Sequence, residues 1–247
     1  MAEPDGKGSG VGRFAVVIPV YNHSTAVGAV IDAARFLGLP IIVVDDGSTD
    51  GTPDVLRNCL GIQVIRHPRN RGKGAALRTG FQAAREIADW AVTIDGDGQH
   101  RPEEAIALIR AADPITRPIV VGRRREMTAD AAVPWTSRFG RGFSNFWVRV
   151  SGGPRLGDSQ SGFRVYPIPE TLNLGVVARR YQYEVEVLVR ASRRGIPVVE
   201  VPVSVTYRPE TGRISHFRPV VDFCRNTAVF ARLITGRIFG IDGRRRS

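Results

Sequence analysis

AVTIDGDGQH, residues 91–100, leaves an apolar, β-branched run and at once sets two carboxylates, Asp95 and Asp97, one residue apart among glycines. Like charges this close repel, so the pattern predicts a cation between them. The apolar half, extended back to Trp90, reads as a strand over Trp90–Ile94. Upstream the same design recurs. Phe14–Ile18 is a strand stopped by Pro19 and followed by PVYN, and Pro40–Asp45 is a run fit for a strand buried on both faces, followed by DDGSTDGT. Ile62–Arg66 is a further strand. Helical spacing covers Thr25–Leu37, Gly74–Ala88 and Pro102–Ala111, and Thr52-Pro53 supplies an N-cap and a first-turn proline for a helix to Leu60. Strand and helix alternate, which predicts right-handed βαβ crossovers and an α/β fold: a three-layer α/β/α sandwich around a mostly parallel sheet.

The alternation loosens after Val121. Pro134–Val150 is aromatic and arginine-rich with helical spacing, Val198–Tyr207 alternates as a strand with Pro202 marking an edge or bulge, and Pro219–Ile238 is helical again. We expect a disordered Gly-rich leader over residues 1–12, one large domain over 13–212 and a basic amphipathic segment over 213–247. No window approaches eighteen consecutive apolar residues, so no transmembrane helix is predicted. Cys59 and Cys224 form no CxxC pair, which argues against a disulfide framework or zinc site and fits a cytoplasmic location. The net charge of +11 is carried mainly by arginine and concentrates beyond Arg208, which favours an anionic surface as partner. Tyr181 and Tyr183 are too few exposed aromatics for an RNA surface, so no nucleic-acid partner is expected.

In open α/β sheets ligands bind beyond the carboxyl ends of the strands, and three polar clusters fall there. An EF-hand beginning at Asp95 would need Gly at its sixth position and Glu at its twelfth; they are His100 and Ile106. NRGKGAALRTG, residues 70–80, lacks the Ser or Thr that follows a P-loop lysine, leaving a glycine-rich helix start whose N–H groups and Lys73 suit an anion. A metal site and an anion-friendly crevice in one α/β domain suit a nucleoside-diphosphate sugar, whose leaving group gains negative charge as the glycosidic bond breaks.

PVYN at 19–22, DDGSTDGT at 45–52, NRGKGAALRTG at 70–80, DGDGQH at 95–100 and DSQSGFRVY at 158–166 together resemble the family 2 glycosyltransferases of the GT-A fold. More narrowly they resemble the dolichol-phosphate mannose synthase and polyprenyl-phosphate sugar transferase branch. The resemblance implies that Pro19, Tyr21 and Asn22 line the nucleotide, that Asp46 meets the base or ribose, and that Asp95, Asp97 and Gln99 hold Mg²⁺ or Mn²⁺ with the diphosphate. It implies cations near the phosphates at Arg124 and Arg138, and a transfer site at Ser161, Gly162, Phe163 and Arg164. Two departures stand out: His23 follows PVYN where the family usually has Glu, and GRISHFR carries Ser215-His216 and Arg213 where the family often has Ser-Lys.

The reaction expected from the resemblance is transfer of one sugar, with inversion, from a nucleotide-sugar to a lipid-linked acceptor. A polyprenyl phosphate acceptor is already anionic and needs positioning by Arg164, Arg213 and His216; a hydroxyl acceptor needs a base, for which Asp158 is the candidate. A non-catalytic sugar-nucleotide binder is the rival reading. The final helix, with Arg225, Arg232 and Arg237 among apolar residues, suits a membrane surface, the domain's own core or a second subunit, as in a homodimer. The membrane reading places the protein peripherally at the cytoplasmic membrane face.

Overall fold

The computed structural model describes residues 12–125, 135–204 and 219–239. A seven-stranded sheet forms its centre: β1 (Phe14–Val20), β2 (Ile41–Asp45), β3 (Gln63–Arg66), β4 (Trp90–Thr93), β5 (Ile119–Arg124), β6 (Arg164–Pro167) and β7 (Val198–Val203). The spatial order is β3-β2-β1-β4-β6-β5-β7. All pairings are parallel except those of β6, which runs against both β4 and β5. The expected α/β architecture with a mostly parallel sheet is what the chain forms.

Alternation along β1 explains the three layers. Val16, Ile18 and Val20 join the cluster under α1 (Val27–Ala34), α2 (Thr52–Arg57) and α4 (Ala105–Arg110). Ala15 and Val17 join the opposite cluster, beneath α3 (Lys73–Ala84), α6 (Ile168–Asn173) and α7 (Tyr183–Arg193). β1, β2 and β4 are buried throughout, as strands covered on both faces must be. A third cluster joins Val148 of α5 (Trp135–Val150), Val185 and Val189 of α7, and Phe230 and Leu233 of α8 (Pro219–Ile238).

Several boundaries differ from expectation for local physical reasons. β1 continues through Pro19 to Val20. Val17 O accepts from Ile94 N while Val20 O accepts from Asp46 N, so Pro19 faces the β4 side just where β4 pairing has ended and its missing N–H costs no ladder bond. Thr52 opens α2 but is not its cap: Gly51 is, and Asp50 accepts the Thr52 N–H at 2.9 Å. The expected helix over Thr25–Leu37 is α1 followed by a 3₁₀ turn at Arg35–Leu37, and that over Pro102–Ala111 opens as a 3₁₀ turn before α4. β7 is an edge strand, the position that Pro202 predicts. Tyr207, the expected strand end, lies outside the described residues, as do residues 1–11 of the expected leader.

The reversal of β6 builds the crevice. In the antiparallel register Thr93 faces Arg164, so the start of β6 lies beside the carboxyl end of β4. The residues preceding β6, DSQSGF at 158–163, are thereby delivered to the strand ends that carry PVYN, DDGSTDGT and DGDGQH. Thr93 Oγ1 fastens this junction by donating to Gly162 O at 2.7 Å.

Gly80 sets how closely α3 approaches the sheet. A Cβ there would sit 2.3 Å from Val17 Cγ1 of the central strand. Gly80→Ala should therefore destabilise the protein by about 1–3 kcal/mol, the usual cost of overpacking, despite alanine's higher helix propensity. Chemical denaturation of both proteins measures this; an unchanged or raised midpoint would show that the helix can move off the sheet freely.

Candidate active site

The first two loops are sewn together. Asn22 adopts a φ of 54°. Its N–H donates to Ser48 Oγ at 2.9 Å, and its Oδ1 accepts from Thr49 N at 2.8 Å. His23 N donates to Thr52 Oγ1 at 3.0 Å, so the hydroxyl expected to cap α2 holds PVYN instead. Ser48 N in turn donates to Asp45 Oδ1 at 2.9 Å. Pro19 is buried at the end of β1, with Tyr21 and Asn22 half-buried beside it.

Asp46 is buried and holds the glycine-rich loop. It accepts from Arg71 N at 2.9 Å and Gly72 N at 2.7 Å, with His67 Nδ1 2.7 Å away. The other ring nitrogen of His67 lies 3.0 Å from Thr79 Oγ1. Gly72 has a φ of 97°, and a Cβ there would strike Arg179 O at 2.5 Å. Ala75 N donates to Arg179 O at 2.9 Å. The amides expected to receive an external anion are, at Arg71, Gly72 and Ala75, already bonded within the protein; the anion that the loop wraps is the carboxylate of Asp46.

Lys73, the first residue of α3, reaches into the crevice. Its Nζ lies 2.7 Å from Asp95 Oδ1 and 2.6 Å from Glu184 Oε1 of α7. Burial by itself would discharge this amine, but Asp95 and Glu184 outweigh it and raise its pKa, so Lys73 is a fixed cation. Burial likewise opposes ionisation of Asp95, yet Lys73, with His100 and His23, pulls its pKa down. A Cβ on Gly162 would lie 2.5 Å from both Lys73 Nζ and Asp95 Oδ2, so only glycine lets the DSQSGFR loop close over the pair. Two residues beyond Asp95, Asp97 Oδ1 accepts from Gln99 N at 3.0 Å around Gly98, whose φ is 70°.

His100 closes the same motif. It is buried with its ring centroid 5.0 Å from that of Phe163, and its Nδ1 has no hydrogen-bond partner among the described residues. Burial drives its pKa to about 4; Arg124 and Lys73 add to this and Asp95 opposes it, so the imidazole is neutral at pH 7.

Arg124, at the end of β5, grips Asp158 bidentately, Nε to Oδ2 at 2.5 Å and Nη2 to Oδ1 at 2.9 Å. Asp158 is fully buried, and Glu200 of β7 steadies its backbone by accepting from Gly157 N and Asp158 N at 2.9 and 3.0 Å. Arg164 is also fully buried. Its guanidinium donates to Ser161 O at 2.6 Å, Ser159 O and Glu184 O at 2.8 Å, and Tyr166 Oη at 3.2 Å. It faces inward and pins the loop bearing Ser161 onto α7. Ser161 is itself buried.

The fold thus brings Asp95, Asp97, Gln99, Lys73 and the Gly162 loop to one locus, and joins Arg124 to Asp158. Arg138 lies on α5 with its side chain outside the described residues, as are Arg213 and His216. Sequence reasoning missed His100, though it sits inside DGDGQH, and it missed His67, Glu184 and Glu200. Glu184 and Glu200 carry no local signal, because a glutamate between apolar residues in YEVEV or VVEVPV reads as the solvated side of an element. Among the described residues no three acids or histidines cluster as a complete metal cage. Two half-buried carboxylates, Asp95 and Asp97, suit a hard divalent ion whose shell a ligand's phosphates complete.

The chain matches the profile of glycosyl transferase family 2 over residues 15–165. It is 30% identical over 213 residues to the UDP-N-acetylglucosamine–dolichyl-phosphate N-acetylglucosaminyltransferase of Methanococcus voltae, covering 78% of this chain and 85% of that protein. It is also 30% identical to the undecaprenyl-phosphate mannosyltransferase of Micrococcus luteus, covering 79% and 84% respectively. Among solved structures, mannosyl-3-phosphoglycerate synthase from Rubrobacter xylanophilus superposes with a TM-score of 0.68 at 20% identity, over 95% of this chain and 76% of that one, a likeness of fold. With the GT-A architecture and the family profile in agreement, this chain is a glycosyltransferase belonging to family 2.

Proposed function

We propose that the enzyme transfers one sugar from a nucleoside-diphosphate sugar to a polyprenyl phosphate, with inversion at the anomeric carbon. The observation that carries the acceptor class is the state of Asp158. The one carboxylate that sequence reasoning offers as a general base is fully buried and held on both oxygens by Arg124. An acceptor hydroxyl needs a base; a phosphate oxygen arrives already anionic. The dolichyl- and undecaprenyl-phosphate transferases among the relatives support the same class, while their two sugars, N-acetylglucosamine and mannose, leave the donor sugar open.

In this reading the acceptor oxygen attacks the anomeric carbon on the face opposite the diphosphate, and the bond from that carbon to the diphosphate oxygen breaks. Pro19, Tyr21 and Asn22 line the nucleotide. Asp46 acts on the nucleotide side by holding the 70–72 loop in place, and Lys73 supplies positive charge at the diphosphate. Mg²⁺ or Mn²⁺ held by Asp95, Asp97 and Gln99 would neutralise charge on the leaving group. Arg124, Arg138, Arg213 and His216 screen the two phosphates from each other, and Arg164 acts through the loop of Ser161 that it pins.

The membrane surface is the natural place to meet such an acceptor. No helix among the described residues is long and apolar enough to cross a membrane. α8 buries Phe230 and Leu233 on α5 and α7, while Arg232 reaches the buried Glu186 at 2.8 Å. Its far end exposes Ile238 and Phe239, at 70% and 73% of their surface, next to Arg237. That end suits insertion at an anionic headgroup layer.

Three outcomes follow. Calorimetry with UDP-, GDP- and dTDP-sugars should find one donor that binds with Mg²⁺ or Mn²⁺, weakened at least about tenfold in Asp97→Asn or by chelator; binding indifferent to both would remove the metal. Asp158→Asn should lower the thermal midpoint yet leave kcat on a polyprenyl phosphate within about tenfold, far from the 10²–10⁴ that losing a general base costs. A larger loss with the nucleotide still bound would favour a hydroxyl acceptor. In flotation with vesicles containing phosphatidylglycerol, Ile238→Ser/Phe239→Ser should release the protein to the soluble fraction; equal partitioning of both proteins would place the contact elsewhere.

A further inference from the structure

Lys73 occupies Asp95 before any ligand arrives, with its ammonium 2.7 Å from Asp95 Oδ1. Resting on the proposed metal site, we infer that Lys73 is an internal competitor for that site: it suppresses cation binding in the empty enzyme and moves to the diphosphate when nucleotide enters, so that metal and nucleotide bind as one unit.

Three features carry this. A divalent ion about 2.1 Å from Asp95 Oδ1 would lie within about 5 Å of the Lys73 ammonium, where two cations in a half-buried site repel strongly. Glu184, at 2.6 Å, offers Lys73 a second carboxylate on α7, so the ammonium keeps an anchor when it leaves Asp95. The backbone of Gly162 lies close against the pair, since a Cβ there would sit 2.5 Å from both Lys73 Nζ and Asp95 Oδ2. A diphosphate brings the negative charge that lets ammonium and divalent ion coexist, and by linkage each ligand tightens the other by the same factor.

The test measures binding of Mn²⁺ alone, by the electron paramagnetic resonance of the free ion, and then Mn²⁺ with saturating GDP or UDP. Lys73→Gln keeps hydrogen-bonding capacity without charge; it should tighten Mn²⁺ binding to the nucleotide-free protein by about tenfold or more and shrink the coupling between metal and nucleotide. Glu184→Gln leaves Lys73 wholly to Asp95 and should weaken binding of Mn²⁺ alone. Unchanged affinity for Mn²⁺ alone in Lys73→Gln and Glu184→Gln overturns the inference while leaving the metal site standing. Absence of Mn²⁺ binding in every protein, with or without nucleotide, overturns the metal site and this inference together.

Discussion

The contact of Lys73 with Asp95 and Glu184 holds the crevice end of the molecule together. It joins the start of α3, the loop after β4 and the start of α7, three segments distant in the chain. An ion cluster removed from water is costly unless its geometry is close to ideal, and removing one partner from such a cluster usually costs about 3–5 kcal/mol. The surroundings are correspondingly tight. Gly74 lets α3 pass α7, where a Cβ would lie 2.5 Å from Tyr183 Cβ, and Gly162 lets the last loop close over the ions. The glycines of these motifs are thus conditions for the charges to meet.

A second layer of buried and half-buried charge acts at one remove. Asp46 orients the loop before Lys73, Glu200 orients the backbone of Asp158, and Arg164 ties the loop of Ser161 to α7. Glu186 does the same for α8, accepting from Val177 N and Ala178 N and from Arg190 and Arg232. Each of these carboxylates or guanidinium groups is bonded to backbone, and Asp46, Arg164 and Glu186 to side chains as well, the condition under which a charge can be buried. The site is therefore a set of loops whose positions are fixed by charges that need not touch a substrate.

Much of this was legible in the chain. The β–α alternation to Val121 gave the order of elements, because strands covered on both faces are apolar without interruption and amphipathic helices repeat every three to four residues. The motif loops fell at strand ends as expected. β6 and α7 were not read, since β6 is only four residues long and α7 is buried on most sides, so neither shows a clean period. Asp46 and Arg164 illustrate the limit for side chains: both lie in recognisable motifs, yet both are oriented inward and bonded to protein.

By itself the sequence determined the fold class, the family and the loops that form the crevice, because these depend on local periodicity and on residue types at fixed spacing. Only the tertiary structure decided which charges meet. The antiparallel turn of β6 delivers residues 158–163 to the strand ends, β5 and that loop bring Arg124 to Asp158, and α7 brings Glu184 to Lys73. Such pairings join segments far apart in the chain, and a Coulomb interaction depends on distance in space, which no local pattern records.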